Sequence, residues 1–492
     1  MFRDILKKTS AYSIAIIGAR SVSLLLLPLY TRFLTPTDYG VMELLDLTIS
    51  IVGILMGTRV GQALFYFYFE AKTEKDREKC ISTAFLGAVL LGAACALVLL
   101  PASAVLSRVV FGTAQYAPYF RLVCLSFSFS LPVEIGYSCM RMLGRSGAYV
   151  RATLWNLGAS ASLNVLFLVA FHLGIRSMLF SALLAGAGLA TYMTWYTLRP
   201  VGIGLDFRLL VRFLKYSVPL SLGGLAVFFV HYGDRAFLKS YVSLGELGIY
   251  SLGYKIGMLI TFLYTPFALH WNAQVASIVR KPDSEVTYVR TMTYLAATLT
   301  FAVVFLTLFV KPLLRLLVGP SFQDAATFVP WIAVAYLLRS VGSHLQGIFT
   351  AEGRPGLEAK VNIIGSIACV AAYAVLIPRF KVWGAISATV FGFLVILVYS
   401  FREAQRVHPF HFEYNRLLRI FLFAIAIVSI FYLVPAGGFW LQLGVATLFE
   451  ASYIVVLLFG CFDREDRQNA TVVLGAAWKH MFSKGVPTAV AA

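Results

Sequence analysis

The sequence predicts an all-α polytopic membrane protein: about fourteen transmembrane helices, arranged as two homologous six-helix lobes plus two C-terminal helices. Three observations carry this. The chain is 59% hydrophobic and only 13% charged, with a mean hydropathy of +0.80, which no soluble globular domain of ordinary composition shows. Its apolar runs, broken by short polar loops, come to about fourteen at the roughly 20 residues a span requires. Two stretches about two hundred residues apart repeat each other, Tyr30-Thr31-Arg32-Phe33-Leu34 with Asp38-Tyr39-Gly40-Val41, and Gly233-Asp234-Arg235-Ala236-Phe237-Leu238 with Glu246-Leu247-Gly248-Ile249-Tyr250.

In chain order the spans are expected at 11–34, 38–68, 81–107, 118–143, 152–172, 177–198, 216–240, 246–277, 291–318, 326–351, 361–378, 382–402, 417–435 and 439–461. The first is too long for a cleavable signal and carries Arg20, with no small-residue cleavage site after it. Each copy of the repeat follows a helix opened by a Tyr-Ser pair, Tyr12-Ser13 and Tyr216-Ser217. A second anchor is the pair of basic turns at Leu143-Gly144-Arg145-Ser146 and Ala351-Glu352-Gly353-Arg354-Pro355. Residues 1–204 therefore form an N-lobe of six spans and 205–410 a C-lobe of six. Residues 411–462 add spans 13 and 14, and 463–492 form a tail. An even number of spans per lobe places the pseudo-two-fold axis along the membrane normal.

The net charge of +18 follows this topology. Lys and Arg gather in alternate loops and the termini, roughly 27 against about six in the intervening loops, which is the positive-inside bias. Both termini are expected in the cytoplasm, and the excess is not a nucleic-acid footprint. No P-loop, zinc pattern or Gly-x-Ser-x-Gly elbow occurs, and no loop is long enough for a catalytic domain. The six cysteines lack metal spacing and read as apolar filling.

Charges at bilayer depth are costly unless paired or wet, so each is a candidate site. The cations are Arg20, Arg59, Arg121, Arg235, Lys255, Lys311, Arg315 and Arg339; the acids are Glu43, Asp46, Glu134, Asp234 and Glu450. Arg20 falls near the middle of span 1, where it meets Asp46 of the next helix or an anionic substrate. In span 2, Glu43, Asp46, Ser50, Gly53, Gly57 and Gly61 step by three or four and share a face. Its glycines permit close helix approach, and two carboxylates within a turn suit proton or cation coupling. Arg59 lies near the cytoplasmic end of that span. Asp234 and Arg235 point about 100° apart and need not pair. Arg339, Ser343 and Gln346 form a deep polar face, Lys311 and Arg315 snorkel outward, and Glu134 follows Pro132. Pro28, Pro132, Pro219 and Pro266 supply bends in spans 1, 4, 7 and 8. A cavity this cationic suits an anion, and Arg suits a phosphate.

The run Pro28 to Gly40, the Gly144-Arg145 turn, the twelve-plus-two layout and the cytoplasmic termini resemble lipid-linked oligosaccharide flippases. These are the Wzx-type polysaccharide biosynthesis proteins of the multidrug/oligosaccharidyl-lipid/polysaccharide exporter superfamily. The resemblance implies a V of two six-helix lobes around a cationic cavity in a bacterial inner membrane. It implies an undecaprenyl-pyrophosphate-linked repeat unit as substrate, flipped to the periplasmic leaflet for O-antigen or another surface polysaccharide. Membrane lipid, a polysaccharide polymerase and a chain-length regulator are the partners to expect, with no cofactor beyond a coupling ion, H⁺ or Na⁺. Arg20, Arg59, Arg235, Lys255 and Arg339 would hold the pyrophosphate, and Glu43, Asp46, Glu134 or Asp234 the ion. Arg20 and Arg59 match the family's cavity arginines by span, whereas span 8 offers Lys255 in place of Arg. In the related cell-wall precursor flippase the two extra helices shape a groove for the lipid tail, which spans 13 and 14 would do here. A drug/cation antiporter of the same superfamily, and a membrane glycosyltransferase or polymerase, are the alternative readings.

Overall fold

A computed structural model describes residues 26–55, 59–279, 284–435 and 437–463. Described residues are almost all helical, which is the structure a chain in hydrocarbon must adopt to satisfy its own backbone polar groups. Contacts divide the chain into two compact units. The first comprises 1–252, 317–325 and 366–392; the second comprises 253–316, 326–365 and 393–492.

The first unit begins with α1 (Leu27–Phe33), α2 (Pro36–Leu55), α3 (Val60–Glu70), α4 (Glu74–Phe111) and α5 (Ala117–Met142). It continues through α6 (Ser146–Val165), α7 (Ile175–Val201), α8 (Phe207–Leu238) and the start of α9 (Leu244–Gly257). Its main core gathers Val60 and Leu64 of α3, Phe85 of α4, Met140 of α5, Met193 of α7 and Phe213 of α8. The link expected to join the lobes is docked: Ser82 Oγ of α4 donates to Gly202 O at 3.1 Å and accepts from Gly204 N at 2.8 Å. Asp206 then caps α8, accepting from Arg208 N and Leu209 N. Lys79 Nζ lies 2.7 Å from its carboxylate and, by that hydrogen bond, holds it below the usual carboxylate range.

The second unit holds the rest of α9, α10 (Ile260–Val279), α11 (Ser284–Leu317), α12 (Val329–Ala351), and α14 (Tyr414–Leu433) and α15 (Phe439–Val456), the last continued by a π turn, Leu457–Cys461. The 53-residue α13 (Pro355–Val407) is two legs joined at Lys381, whose φ of 51° is non-helical. Tyr373 Oη and Thr389 Oγ1 meet at 3.0 Å across the legs, so this element covers both expected spans 11 and 12.

Among the described residues nine helices are long and apolar enough to cross a membrane, or eleven when two bent pairs are joined. The bends are not where the prolines led us to expect them. Pro132, Pro219 and Pro266 lie inside unbroken helices, and Pro28 sits in the first turn of α1. Span 8 instead bends by 40° between α9 and α10, and span 10 by 47° between a 3-10 turn, Pro320–Thr327, and α12. In span 2, α2 is described as far as Leu55 and α3 from Val60, with Arg59 at its N-terminus. Gly57 of the expected stripe lies outside the described residues.

Gly144 and Gly353 end α5 and α12 in the left-handed region, at φ 67° and 68°, where glycine pays no Cβ penalty. Arg145 N donates to Met140 O at 2.8 Å, and Arg354 N to Phe349 O at 2.7 Å. The two basic turns share one backbone form.

Candidate functional site

The twin segments meet in the first unit. Thr35 and Asp38 form a reciprocal capping box at the start of α2, with Thr35 N to Asp38 Oδ2 at 2.9 Å and Asp38 N to Thr35 Oγ1 at 3.2 Å. Ser243 and Glu246 do the same for α9, at 2.9 and 3.2 Å, satisfying donors that a helix start leaves orphaned. The two helix starts cross with their backbones in contact. A Cβ added to Gly40 would land on the carbonyl oxygen of Leu244, and one on Gly248 on that of Pro36. Only glycine permits this approach from both sides. The caps and glycines align the copies 208 positions apart (Gly40 with Gly248), which pairs Arg235 with Leu27 and leaves Arg32 opposite Ser240. Arg32 and Arg235 are therefore not counterparts, because the links between helices differ in length; Arg32 is exposed on α1 and Arg235 is buried.

Just past the crossing, three of the expected site residues come together. Arg235 is 1% exposed. Its Nε donates to Glu43 Oε1 at 2.8 Å and its Nη1 to Asp234 Oδ1 at 2.9 Å. Asp234 also accepts from the Arg235 backbone N–H at 2.9 Å and from the Tyr250 hydroxyl. The guanidinium stands over the rings of Tyr232 and Tyr250, at 5.3 and 5.8 Å, a cation–π arrangement. Asp234 and Arg235 thus do pair, because Arg235 reaches back along its own helix. In this pocket two carboxylates engage one guanidinium, so a phosphate would reach Arg235 only by displacing a carboxylate from it.

Arg20 lies outside the described residues. Arg59 is half-buried at the start of α3, its guanidinium against Gly224 of α8. Glu134 is exposed on α5, within electrostatic reach of Arg141 and Arg59. Asp46 is exposed one turn beyond Glu43. In the second unit Lys255 is exposed near the end of α9, and Arg339 of α12 donates from Nη1 to Ser343 Oγ at 2.7 Å. Gln346 Nε2 donates to Ser400 Oγ at 2.9 Å, so the polar face of α12 is engaged with α13. Sequence reasoning missed Tyr232 and Tyr250. Tyr250 stands inside the quoted repeat, two residues after its glycine, and that position was the available signal.

The second unit also carries an apolar groove of about 690 Å³ between α11, α12 and α14, lined by Val304, Leu337, Leu338, Phe421 and Ile425. Lys311 and Tyr432 line it as well, with the Lys311 ammonium 5.6 Å from the Tyr432 ring centroid. A further groove of about 350 Å³ shares Leu337, Leu338 and Phe421 as walls.

Known proteins match this arrangement. The sequence profile of a family described as "Polysaccharide biosynthesis protein" matches residues 29–268, which includes both twin segments. The probable low-salt glycan biosynthesis flippase Agl15 of Haloferax volcanii is 22% identical over 330 residues, 62% of this chain. The match spans 65% of that relative's own length. Among solved structures, the lipid II flippase MurJ in an inward closed conformation superposes with a TM-score of 0.73 at 14% identity, covering 91% of this chain and 98% of that one. An inward-facing multidrug resistance MATE family transporter of the MOP superfamily gives 0.68 at 15% identity, covering 82% and 98%. The chain is an all-α, multi-pass membrane protein with the two-lobed fold of these transporters. The resemblance read from residues 28–40 agrees with these findings: the matched profile is that of a polysaccharide biosynthesis protein, and the similar proteins are flippases and transporters.

Proposed function

We propose that this protein flips undecaprenyl-pyrophosphate-linked oligosaccharide repeat units from the cytoplasmic to the periplasmic leaflet of a bacterial inner membrane. The units serve O-antigen or another surface polysaccharide, and the polymerase and chain-length regulator of that assembly are its partners. The observation that carries the reading is the apolar groove with Lys311 on its wall, a mostly apolar lining bearing one ammonium. It suits a polyprenyl chain whose head is anionic, and its volume lies in the range of ligand-binding cavities. The family profile and the glycan biosynthesis flippase among the relatives agree in class.

In this reading the lobes 1–204 and 205–410 work by alternating access, with both termini in the cytoplasm and spans 13 and 14 flanking the lipid tail. Arg20, Arg59, Arg235, Lys255 and Arg339 engage the pyrophosphate, with Arg235 freed from Glu43 when the anion arrives. Glu43, Asp46, Glu134 and Asp234 supply the site for a coupling ion. The test is reconstitution in vesicles with a fluorescent lipid-linked oligosaccharide, scored by its accessibility in each leaflet. Wild-type protein is expected to flip it, Arg20→Ala to fail, and Arg20→Lys to recover in part, because a point charge replaces a planar fork. Full activity in both variants would remove Arg20 from the site. Transport of lipophilic cations without movement of the glycolipid would replace the reading with a drug/cation antiporter of the same superfamily, and glycosidic bonds formed or broken by the purified protein would replace it with an enzyme.

A further inference from the structure

The last described membrane helix, α15, buries a carboxyl that the site above does not use. Glu450 of α15 is 6% exposed, and neither of its oxygens has a hydrogen-bond partner among the described residues. Ala446, Glu450, Tyr453 and Leu457 step by four, three and four, so they share one buried helical face. That face belongs to a cluster with Ala297, Val304 and Leu308 of α11 and Ile420 and Ala424 of α14.

Among the described residues, the groups around Glu450 offer it no counter-charge. From Ile420 to Val428 α14 has no titratable side chain, and α11 has none from Ala297 to Leu308. On its own helix Tyr453 is one turn away, with its hydroxyl donated to Ile420 O at 3.3 Å, and Cys461 lies in the π turn. Lys311 and Arg315 lie beyond that stretch of α11, and Arg315 donates to Gln442 at 2.9 Å. At the other end Arg416 pairs with Glu413 and Asp463, and Arg419 donates to Gly460 O at 2.7 Å. A hard cation needs a shell of oxygen ligands. Among the described residues no three His, Cys, Asp or Glu side chains assemble to hold a metal ion, and mid-helix carbonyls are spent on the helix itself. A proton needs no such shell.

We propose that Glu450 is a proton-binding site, and that its loading sets how α15 seats against α11 and α14. The link to transport is a shared wall: Val304, Ala424 and Val428 belong to the packing around α15 and also line the apolar groove. When the proton leaves, the ionised carboxylate seeks water or a cation, α15 shifts, and the groove wall moves with it. The proposal rests on the flippase reading for what the proton drives, not for its binding.

The test uses the full-length protein in lipid vesicles and dicyclohexylcarbodiimide, which attacks protonated carboxyls in apolar surroundings. The carboxyl oxygen bonds to the carbodiimide carbon, the carboxyl proton passes to a nitrogen, and rearrangement leaves a stable N-acylurea. Mass spectrometry is expected to find the adduct on Glu450, to find less of it as pH is raised, and to find none in Glu450→Gln. Flipping by Glu450→Gln and Glu450→Leu is expected to lose its response to a pH step across the vesicle, with Glu450→Leu at least as heat-stable as the parent. Absence of the adduct from folded wild-type protein at every pH, with labelling only after denaturation, would overturn the site. An unchanged pH response in both variants would overturn its role. If wild-type vesicles flip no glycolipid, the flippase reading fails, and the adduct and its pH profile still decide whether Glu450 binds a proton.

Discussion

The two copies of the repeated segment agree where their backbones touch and disagree one turn further on. Thr35-Asp38 and Ser243-Glu246 make the same capping box, and Gly40 and Gly248 make the same close approach to a carbonyl. Beyond that point the second copy has Ser251 where the first has Glu43, and the first has Leu26 and Leu27 where the second has Asp234 and Arg235. Caps and glycines answer to backbone geometry, which a two-fold crossing demands of both partners. Charges answer to a single lock or ligand, which needs only one set. The charged cluster is assembled by breaking the symmetry, with one carboxylate from the first copy and the ion pair from the second.

The largest effect is expected from removing one side of that asymmetric cluster. Glu43→Leu takes a carboxylate away from the buried Arg235 and should cost about 3–5 kcal/mol, measured by unfolding in detergent. Replacing all three charges, by Glu43→Leu, Asp234→Leu and Arg235→Met together, should return most of that stability and abolish transport. A triple variant that is stable and still transports would reduce the cluster to scaffolding. Tyr250→Phe comes next. It deprives a buried carboxylate of one donor, at about 1.5–3 kcal/mol, and it alters a residue whose first-copy counterpart, Met42, can make no such bond. Met42→Leu should therefore be nearly silent in the same assay.

The symmetric part of the comparison breaks at the glycines. Gly40→Ala and Gly248→Ala each drive a methyl into a backbone carbonyl that cannot rotate away, at about 1–3 kcal/mol each. Because the contacts are reciprocal, the two losses should be alike. A large loss at one glycine with none at the other would mean that the crossing is not a two-fold.

Much of this frame was legible in the sequence for a physical reason. Capping boxes and close-approach glycines are local patterns, written in residues three or four apart, so Asp38-Tyr39-Gly40 and Glu246-Leu247-Gly248 could be matched before any coordinates. The twin basic turns at Gly144 and Gly353 were legible on the same grounds, since a left-handed residue at a helix end calls for glycine. The register beyond the caps was not. It depends on how many residues each link spends between helices, which made Arg32 look like the partner of Arg235. Nor does sequence show pairing across 192 positions, from Glu43 to Arg235, because depth in the membrane does not say which helices are neighbours. Proline misled for a related reason: it weakens a helix, but packing decides whether the helix gives way there. The bends came instead next to Gly257 and after Thr327.

The smallest expected effect tests the symmetry most finely. Thr35→Ala and Ser243→Ala each remove a capping oxygen at an exposed helix start, where about 1 kcal/mol is typical. Each oxygen serves its own helix, yet the two caps border the same crossing, with Thr37 3.6 Å from where a Cβ on Gly245 would stand. If the caps act only on their own helices, the double variant should equal the sum of the singles within about 0.5 kcal/mol. A larger deficit would show that α2 and α9 start as one unit, each start holding the other in place. Transport rate separates the cases independently. Local fraying at one start leaves the opposite glycine contact in place and the rate unchanged, whereas a jointly held crossing loosens on both sides at once, and the rate shifts with the loss of stability.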